Sequence, residues 1–246
     1  MNNPPRTSRA DGRTPAQLRP IQMKVGVAPN AAGSVLISIG NTQVICAVTI
    51  QPEAPRWMKQ QKLPGGWLTG EYSLLPYATG ERSQREATSG KLGGRTQEIQ
   101  RLIGRSLRSA LDLTAIGSRT LWVDCDVLQA DGGTRTAAIT GGWVALRLAL
   151  NRLLADGLLQ KDPMRECVAA VSVGLVGTEA CLDLCYAEDS AAEVDMNVVM
   201  TASGRYIELQ GTAERGAFSP EDLQRMLALS RSGIEDLVRE QQAAVL

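Results

Sequence analysis

Two short segments set glycine, a hydroxyl and an arginine side by side: Gly93-Gly94-Arg95-Thr96 and Gly132-Gly133-Thr134-Arg135-Thr136. Each stands before a stretch of helical character. The first N–H groups of a helix lack internal partners, and the helix dipole adds partial positive charge there. Glycine lets an anion come close to the backbone. Arginine offers a planar, two-pronged donor that matches phosphate oxygens. The combination suits a bound phosphate. It equally suits two ordinary turns capped by threonine. Neither segment belongs to a P-loop, because Gly90-Lys91 is followed by Leu92 and no glycine stands five residues before Gly90.

A third segment gathers acids. Glu188, Asp189, Glu193 and Asp195 fall within the run Glu188-Asp189-Ser190-Ala191-Ala192-Glu193-Val194-Asp195. Like charges this close need solvent, an arginine or a cation. A few carboxylates with room for water suit Mg²⁺; a solvated loop without an ion is the alternative.

The chain contains no histidine. Ser-His-Asp and Cys-His triads, HExxH zinc sites and histidine general bases are therefore excluded. Five cysteines without a CxxC pair, Cys46, Cys125, Cys167, Cys181 and Cys185, read as buried free thiols of a reducing compartment. Cys181 and Cys185 would share one face of a strand. Chemistry must rest on carboxylates, arginine, lysine, hydroxyls, backbone N–H groups or a hard metal ion. Formal net charge is zero over 246 residues, yet Arg82, Arg85, Lys91, Arg95, Arg101, Arg105 and Arg108 cluster against only Glu86 and Glu98. Such a segment can bind phosphates or form a solvated helix face.

The elements that must carry these groups follow from periodicity. Residues 1–19 are polar and rich in Pro and Arg, and read as a flexible arm. They lack the apolar stretch of a secretory signal, and no apolar run is long enough to span a bilayer, so a cytoplasmic location is expected. Ile21–Val27, Ser34–Ile39 and Thr42–Ile50 read as an antiparallel meander turning at Gly40-Asn41. Residues 51–92 read mostly as loop, with a short strand near Trp67–Leu75. Ile99, Leu102, Ile103, Leu107 and Leu111 predict an amphipathic helix over Thr96–Leu113. A strand over Thr120–Leu128, a turn at Asp131–Gly133 and a buried helix from Thr136 to Leu154 follow. Hairpins are expected at Val168–Val176 with Ala180–Tyr186, and at Glu193–Thr201 with Tyr206–Gly211. Ser219 and Pro220 start a last helix that runs to about Gln242. The class is α+β, with a first part over 20–155 and a second over 165–246.

Several segments resemble the RNase PH family. Gly94-Arg95-Thr96-Gln97-Glu98-Ile99-Gln100-Arg101-Leu102-Ile103-Gly104-Arg105 looks like its signature helix, and Asp124 through Thr136 like its signature loop. Glu188 through Val199 resembles its acidic region; Asp11-Gly12-Arg13 and Gln210-Gly211-Thr212-Ala213-Glu214 also fit. The resemblance runs from about residue 10 to the C-terminus. It implies an RNase PH-type fold: a β-rich first part with packed helices, then a second α+β part. It implies a phosphate-dependent 3′→5′ exoribonuclease that trims tRNA precursors, releases nucleoside diphosphates and extends RNA in reverse. Arg95, Gly133, Thr134 and Arg135 would hold inorganic phosphate, the co-substrate. Asp189 and Asp195 would be catalytic and hold Mg²⁺. Arg82 and Arg85 would contact RNA. The implied assembly is a homohexamer, a trimer of dimers. A non-catalytic RNA-binding ring subunit is the alternative. Tyr77, Gly80-Glu81 and a longer 60–66 stretch depart from the family pattern in the RNA-facing region.

Overall fold

A computed structural model of the chain describes residues 9, 11–214 and 216–246. β1 (Ile21–Val25), β2 (Gly33–Ile39) and β3 (Thr42–Gln51) form the expected antiparallel meander. A one-turn helix, α1 (Arg56–Gln60), interrupts the stretch expected as loop, and β4 (Trp67–Leu74) follows. After a short 3₁₀ turn at Glu86–Ser89 come α2 (Gly94–Ser109), β5 (Thr120–Gln129) and α3 (Thr134–Ala155). β5 inserts between β3 and β4, giving the order β1-β2-β3-β5-β4, with β4 and β5 parallel. The second half contains β6 (Val168–Val176), β7 (Glu179–Leu182), α4 (Tyr186–Asp189), β8 (Val194–Thr201), β9 (Tyr206–Ala213) and α5 (Pro220–Ala244). Its sheet is antiparallel, ordered β7-β6-β8-β9.

α3 is the shared spine. It packs on β2 and β3 of the first sheet and on β6 of the second. A helix flanked by sheets must be apolar all round, and α3 buries Ala137, Ala138, Ile139, Val144, Leu146 and Leu150 on its several faces. One continuous core results. Close approach of helix to sheet depends on absent side chains. A Cβ on Gly33 would lie 2.2 Å from the Ala145 carbonyl oxygen, and one on Gly141 would lie 2.7 Å from Ile37. At the other end of the chain, the Ser219 hydroxyl accepts the Asp222 N–H and Pro220 opens α5, as the sequence signals predict.

Three expectations are corrected. Within the segment 1–19, residues 1–8 and 10 lie outside the described residues. Arg13 and Arg19 are almost fully buried in ion pairs with Asp183 and Glu188, so residues 11–19 are fixed to the second half rather than free. The helix expected to reach Leu113 stops at Ser109, because Leu111 bridges to Met164 and Asp112 N–H donates to the Pro163 carbonyl. The strand expected over Ala180–Tyr186 ends at Leu182, because Asp183 turns to a positive φ of 54°. Cys185 therefore leads into α4 and shares no strand face with Cys181.

Gly33→Ala should destabilise the fold by about 1–3 kcal/mol or more, since the clash is with backbone. Gly80→Ala, where a Cβ meets nothing within 4 Å, should change stability by less than ~0.5 kcal/mol. Urea denaturation of the two variants checks the contrast.

Candidate active site

The turn before α3 is made of two glycines in the left-handed region, Gly132 at φ 75° and Gly133 at φ 66°. That conformation favours glycine over any residue with a Cβ. Thr42 clamps the turn: its hydroxyl donates to the Gly132 carbonyl at 2.6 Å and accepts the Asp131 N–H at 3.0 Å. Thr134 opens α3, buried, its hydroxyl 2.9 Å from the Tyr72 phenol oxygen on β4. Arg135 follows and reaches outward. Its Nη1 donates to Gln210 Oε1 at 2.7 Å, and Glu98 lies farther, at 3.3 Å.

The start of α2 is built differently. Glu86 accepts both the Gly93 N–H, at 3.0 Å, and the Thr96 hydroxyl, at 2.8 Å. The Gly93 N–H is thus taken by a carboxylate, and the segment's contribution is Arg95, exposed on the first turn. Farther along the helix Arg108 is structural. It lies 4.5 Å over the Trp67 ring and donates to the Leu68 carbonyl.

The acids divide by environment. Glu188 turns inward, where it pairs with Arg9 and Arg13 and accepts the Cys185 N–H. Its neighbour Asp189, at the end of α4, interacts with Asp195 near the start of β8. Burial first, then repulsion from Asp189, raises the Asp195 carboxyl to about 6; Arg135 pulls the other way. Burial also raises Asp189, against the opposing pull of Arg95 and Arg135. Both arginines thus pull on Asp189, and Arg135 pulls on Asp195 as well, so the two helix starts lie within electrostatic reach of the acids. Glu214, just beyond β9, adds negative charge to both acids. Among the described residues no group of three or more His, Cys, Asp or Glu forms a metal cluster. Two adjacent carboxylates that repel each other still fit Mg²⁺, which keeps several waters and takes few protein ligands.

Residues 17–150 match the model for domain 1 of the 3′ exoribonuclease family, and residues 166–233 match domain 2. Ribonuclease PH of Halalkalibacterium halodurans is 54% identical over 96% of this chain and 92% of its own length. Ribonuclease PH of Solibacter usitatus is 53% identical over 96% of this chain and 99% of its own. The chain belongs to the RNase PH family of 3′ exoribonucleases. The Archaeoglobus fulgidus exosome with RNA bound to its active site shares the fold, with a TM-score of 0.79 at 21% identity over 96% of this chain and 92% of the solved one. The RNase PH fold expected from the sequence is thus the one present.

Of the site residues expected from the RNase PH resemblance, Arg95, Gly133, Thr134, Arg135, Asp189 and Asp195 come together. Arg82 and Arg85 lie on the exposed segment before α2. Arg85 lies at a cavity of about 380 Å³ lined by Glu71, Asp124 and Asp126, and its charge lowers the Asp126 carboxyl that burial raises. Sequence reasoning did not single out Tyr72 or Thr42. Only their contacts reveal them, because each acts on a residue far along the chain. Glu98, Gln210 and Glu214 lay in matched motifs that carried no assigned role for them.

Asp189→Asn should lower the Asp195 pKa from about 6 but leave it above the usual 3.8, because burial, the larger cause, remains. Carboxyl-carbon NMR of the metal-free protein through a pH titration reads this directly. An unmoved Asp195 resonance would separate the two groups.

Proposed function

We propose that this chain is a phosphate-dependent 3′→5′ exoribonuclease that trims the 3′ ends of tRNA precursors. What carries it is that Arg95 and Arg135, from two helix starts, both pull on Asp189, and Arg135 also on its neighbour Asp195. The reaction brings two anions together. An oxygen of inorganic phosphate attacks the phosphorus of the last phosphodiester, and the bond to the penultimate ribose O3′ breaks. The terminal nucleotide leaves as a nucleoside diphosphate, and the shortened RNA keeps a 3′-hydroxyl. Phosphate is already ionised near neutral pH, so no histidine is needed to activate it.

The protein must hold the reactants in line and neutralise their charge. Arg135 supplies a braced cation and Arg95 an accessible one, and the open turn at Gly133 and Thr134 supplies N–H groups at the start of α3. Gln210 on β9 steadies Arg135. Asp189 and Asp195 would hold Mg²⁺, which when bound supplies positive charge against the phosphodiester oxygens. Without metal, Asp195, raised to about 6, can carry the proton shared by the pair. Arg82 and Arg85 would track the RNA backbone. The same residues run the reverse reaction and extend RNA from nucleoside diphosphates.

The reading includes a homohexamer arranged as a trimer of dimers, a cytoplasmic location, and two parts over 20–155 and 165–246 of one working unit. Among the described residues no helix is long and apolar enough to cross a membrane. A non-catalytic RNA-binding ring subunit would have no use for two arginines placed on an acid pair, and this disfavours it.

Incubation with a 3′-extended tRNA and Mg²⁺, with and without phosphate, should release nucleoside diphosphates only when phosphate is present. Monophosphates without phosphate would mean hydrolysis and overturn the reading. Arg135→Ala should lower phosphate-dependent turnover by about 10² or more while the RNA still binds; normal turnover at millimolar phosphate would remove Arg135 from the site. Asp195→Asn should lose most turnover together with its response to a Mg²⁺ titration.

A further inference from the structure

We propose that Asp131 is a positioning residue that fastens the phosphate-holding turn to the short helix carrying Asp189, so that the two halves of the site keep one spacing. The inference rests on the phosphate-site reading above and deepens it.

Asp131 spends each of its polar atoms on a different part of the molecule. Its N–H donates to the Thr42 hydroxyl at the start of β3. Its carbonyl accepts Arg19 Nη1 at 2.5 Å. Its Oδ2 accepts the Asn41 amide at 3.2 Å, in the turn between β2 and β3. Its Oδ1 accepts the backbone N–H of Tyr186 at 3.2 Å, the first residue of α4. The first three contacts fix Asp131 to the first sheet and to the buried Arg19. The fourth crosses to the second half and ends three residues before Asp189.

The turn also touches α4 directly. A Cβ on Gly132 would lie 2.5 Å from the Leu184 carbonyl oxygen and 2.9 Å from the Tyr186 nitrogen. Contact limits how near the turn and α4 can come, and the Asp131–Tyr186 hydrogen bond limits how far they can part. Phosphate held at Gly133–Arg135 and the acids at Asp189 and Asp195 then lie at a fixed separation. Groups that support the residues holding a ligand commonly contribute 10–100-fold to affinity or activity.

Charge and position make opposite predictions here. A carboxylate beside an anion site weakens that site by repulsion, so deleting it should tighten phosphate binding if charge were its only effect. As a positioning residue, Asp131 should instead be needed for binding. Asparagine keeps an oxygen for the Tyr186 N–H and discards the charge. Tyr186 allows a second cut at the same bond. Proline is tolerated at the first position of a helix, and Cys185 before it is already extended, at φ −77° and ψ 169°. Tyr186→Pro therefore keeps α4 but replaces the donor with a ring carbon set against Asp131, which parts the turn from the helix. Tyr186→Ala removes only an exposed side chain and keeps the donor.

The experiment is calorimetric titration of inorganic phosphate into the full-length protein and its variants, with steady-state trimming of a 3′-extended tRNA alongside. Asp131→Ala and Tyr186→Pro should each weaken phosphate binding about tenfold or more and raise the phosphate KM in step, with RNA binding unchanged. Asp131→Asn and Tyr186→Ala should stay close to wild type. Phosphate binding that is unchanged or tighter in Asp131→Ala would overturn the inference while leaving the function intact. Wild-type protein that neither binds phosphate nor releases diphosphates would overturn the functional reading and this inference with it. Should Asp131→Ala fail to fold, the Tyr186 pair decides alone: equal phosphate affinity in Tyr186→Pro and Tyr186→Ala overturns the proposal.

Discussion

The buried ion pair between Arg19 and Asp183 is the constraint on which the site depends. Arg19 reaches the Asp183 carboxylate with two nitrogens, at 2.9 and 2.6 Å, and both side chains are almost wholly removed from water. Burying two charges is costly, and leaving one of them unpaired costs about 3–5 kcal/mol. Asp183 also sits at a positive φ, which a non-glycine residue adopts at a further cost. The surroundings force it there. Its N–H donates to the Ser172 carbonyl, and its own carbonyl accepts Arg9 and Arg13. The kink ends β7, starts the approach to α4 and so sets where Asp189 emerges. The remaining nitrogen of Arg19 holds the Asp131 carbonyl. One guanidinium thus ties the segment before β1, the glycine turn before α3 and the acid-bearing half together.

Above this knot, α3 decides the larger geometry. Its first turn carries Thr134 and Arg135, and its body is gripped by both sheets. A helix packed on two sides cannot shift without disturbing both interfaces, since protein interiors are close-packed. The glycines at 33 and 141 let it seat deeply. Arg135 is consequently presented from a rigid element, with Gln210 of the second sheet bracing it. Arg95 is presented from the start of α2, whose opening turn is held by Glu86 from the preceding segment. That arginine faces solvent, so the site joins one braced cation to one accessible cation.

Local chemistry could be read from the sequence wherever the cause was local. Period-two and period-3.6 patterns marked the strands and long helices, the Ser219-Pro220 start of α5 followed from capping, and the glycine-arginine segments marked two helix starts. The motif match then identified the family. What could not be read was set by partners far along the chain. Arg19 meets Asp183 across 164 positions and Arg9 meets Glu188 across 179. No spacing rule links such residues, so a stretch rich in Pro and Arg read as a free arm. The same limit hid the split between Glu188 and Asp189. As neighbours in sequence they looked like one acidic cluster, yet one is a buried structural anion and the other faces the arginines. Strand β7 was overrun for a related reason: the residue that breaks it is an aspartate held in a glycine-like conformation by contacts from elsewhere.

The division between Glu188 and Asp189 also explains why the acid pair can coexist with the cations around it. Had both carboxylates faced Asp195, three like charges would compete for the same two arginines. Glu188 is instead satisfied by Arg9, Arg13 and the Cys185 N–H, and its α4 backbone is anchored by that bond. Asp189 and Asp195 are left to face Arg95 and Arg135, with Glu214 beyond them and Glu98 beside Arg135. Acids thus offset the two arginines, so on the proposed function an incoming phosphate would be attracted by the nearest guanidinium groups and not by a large diffuse field. Attraction that is short-ranged and directional selects for geometry. A chain with no net charge can therefore hold two phosphate groups close together, provided the arginines, the turn and the acids are kept in register by residues that touch neither phosphate.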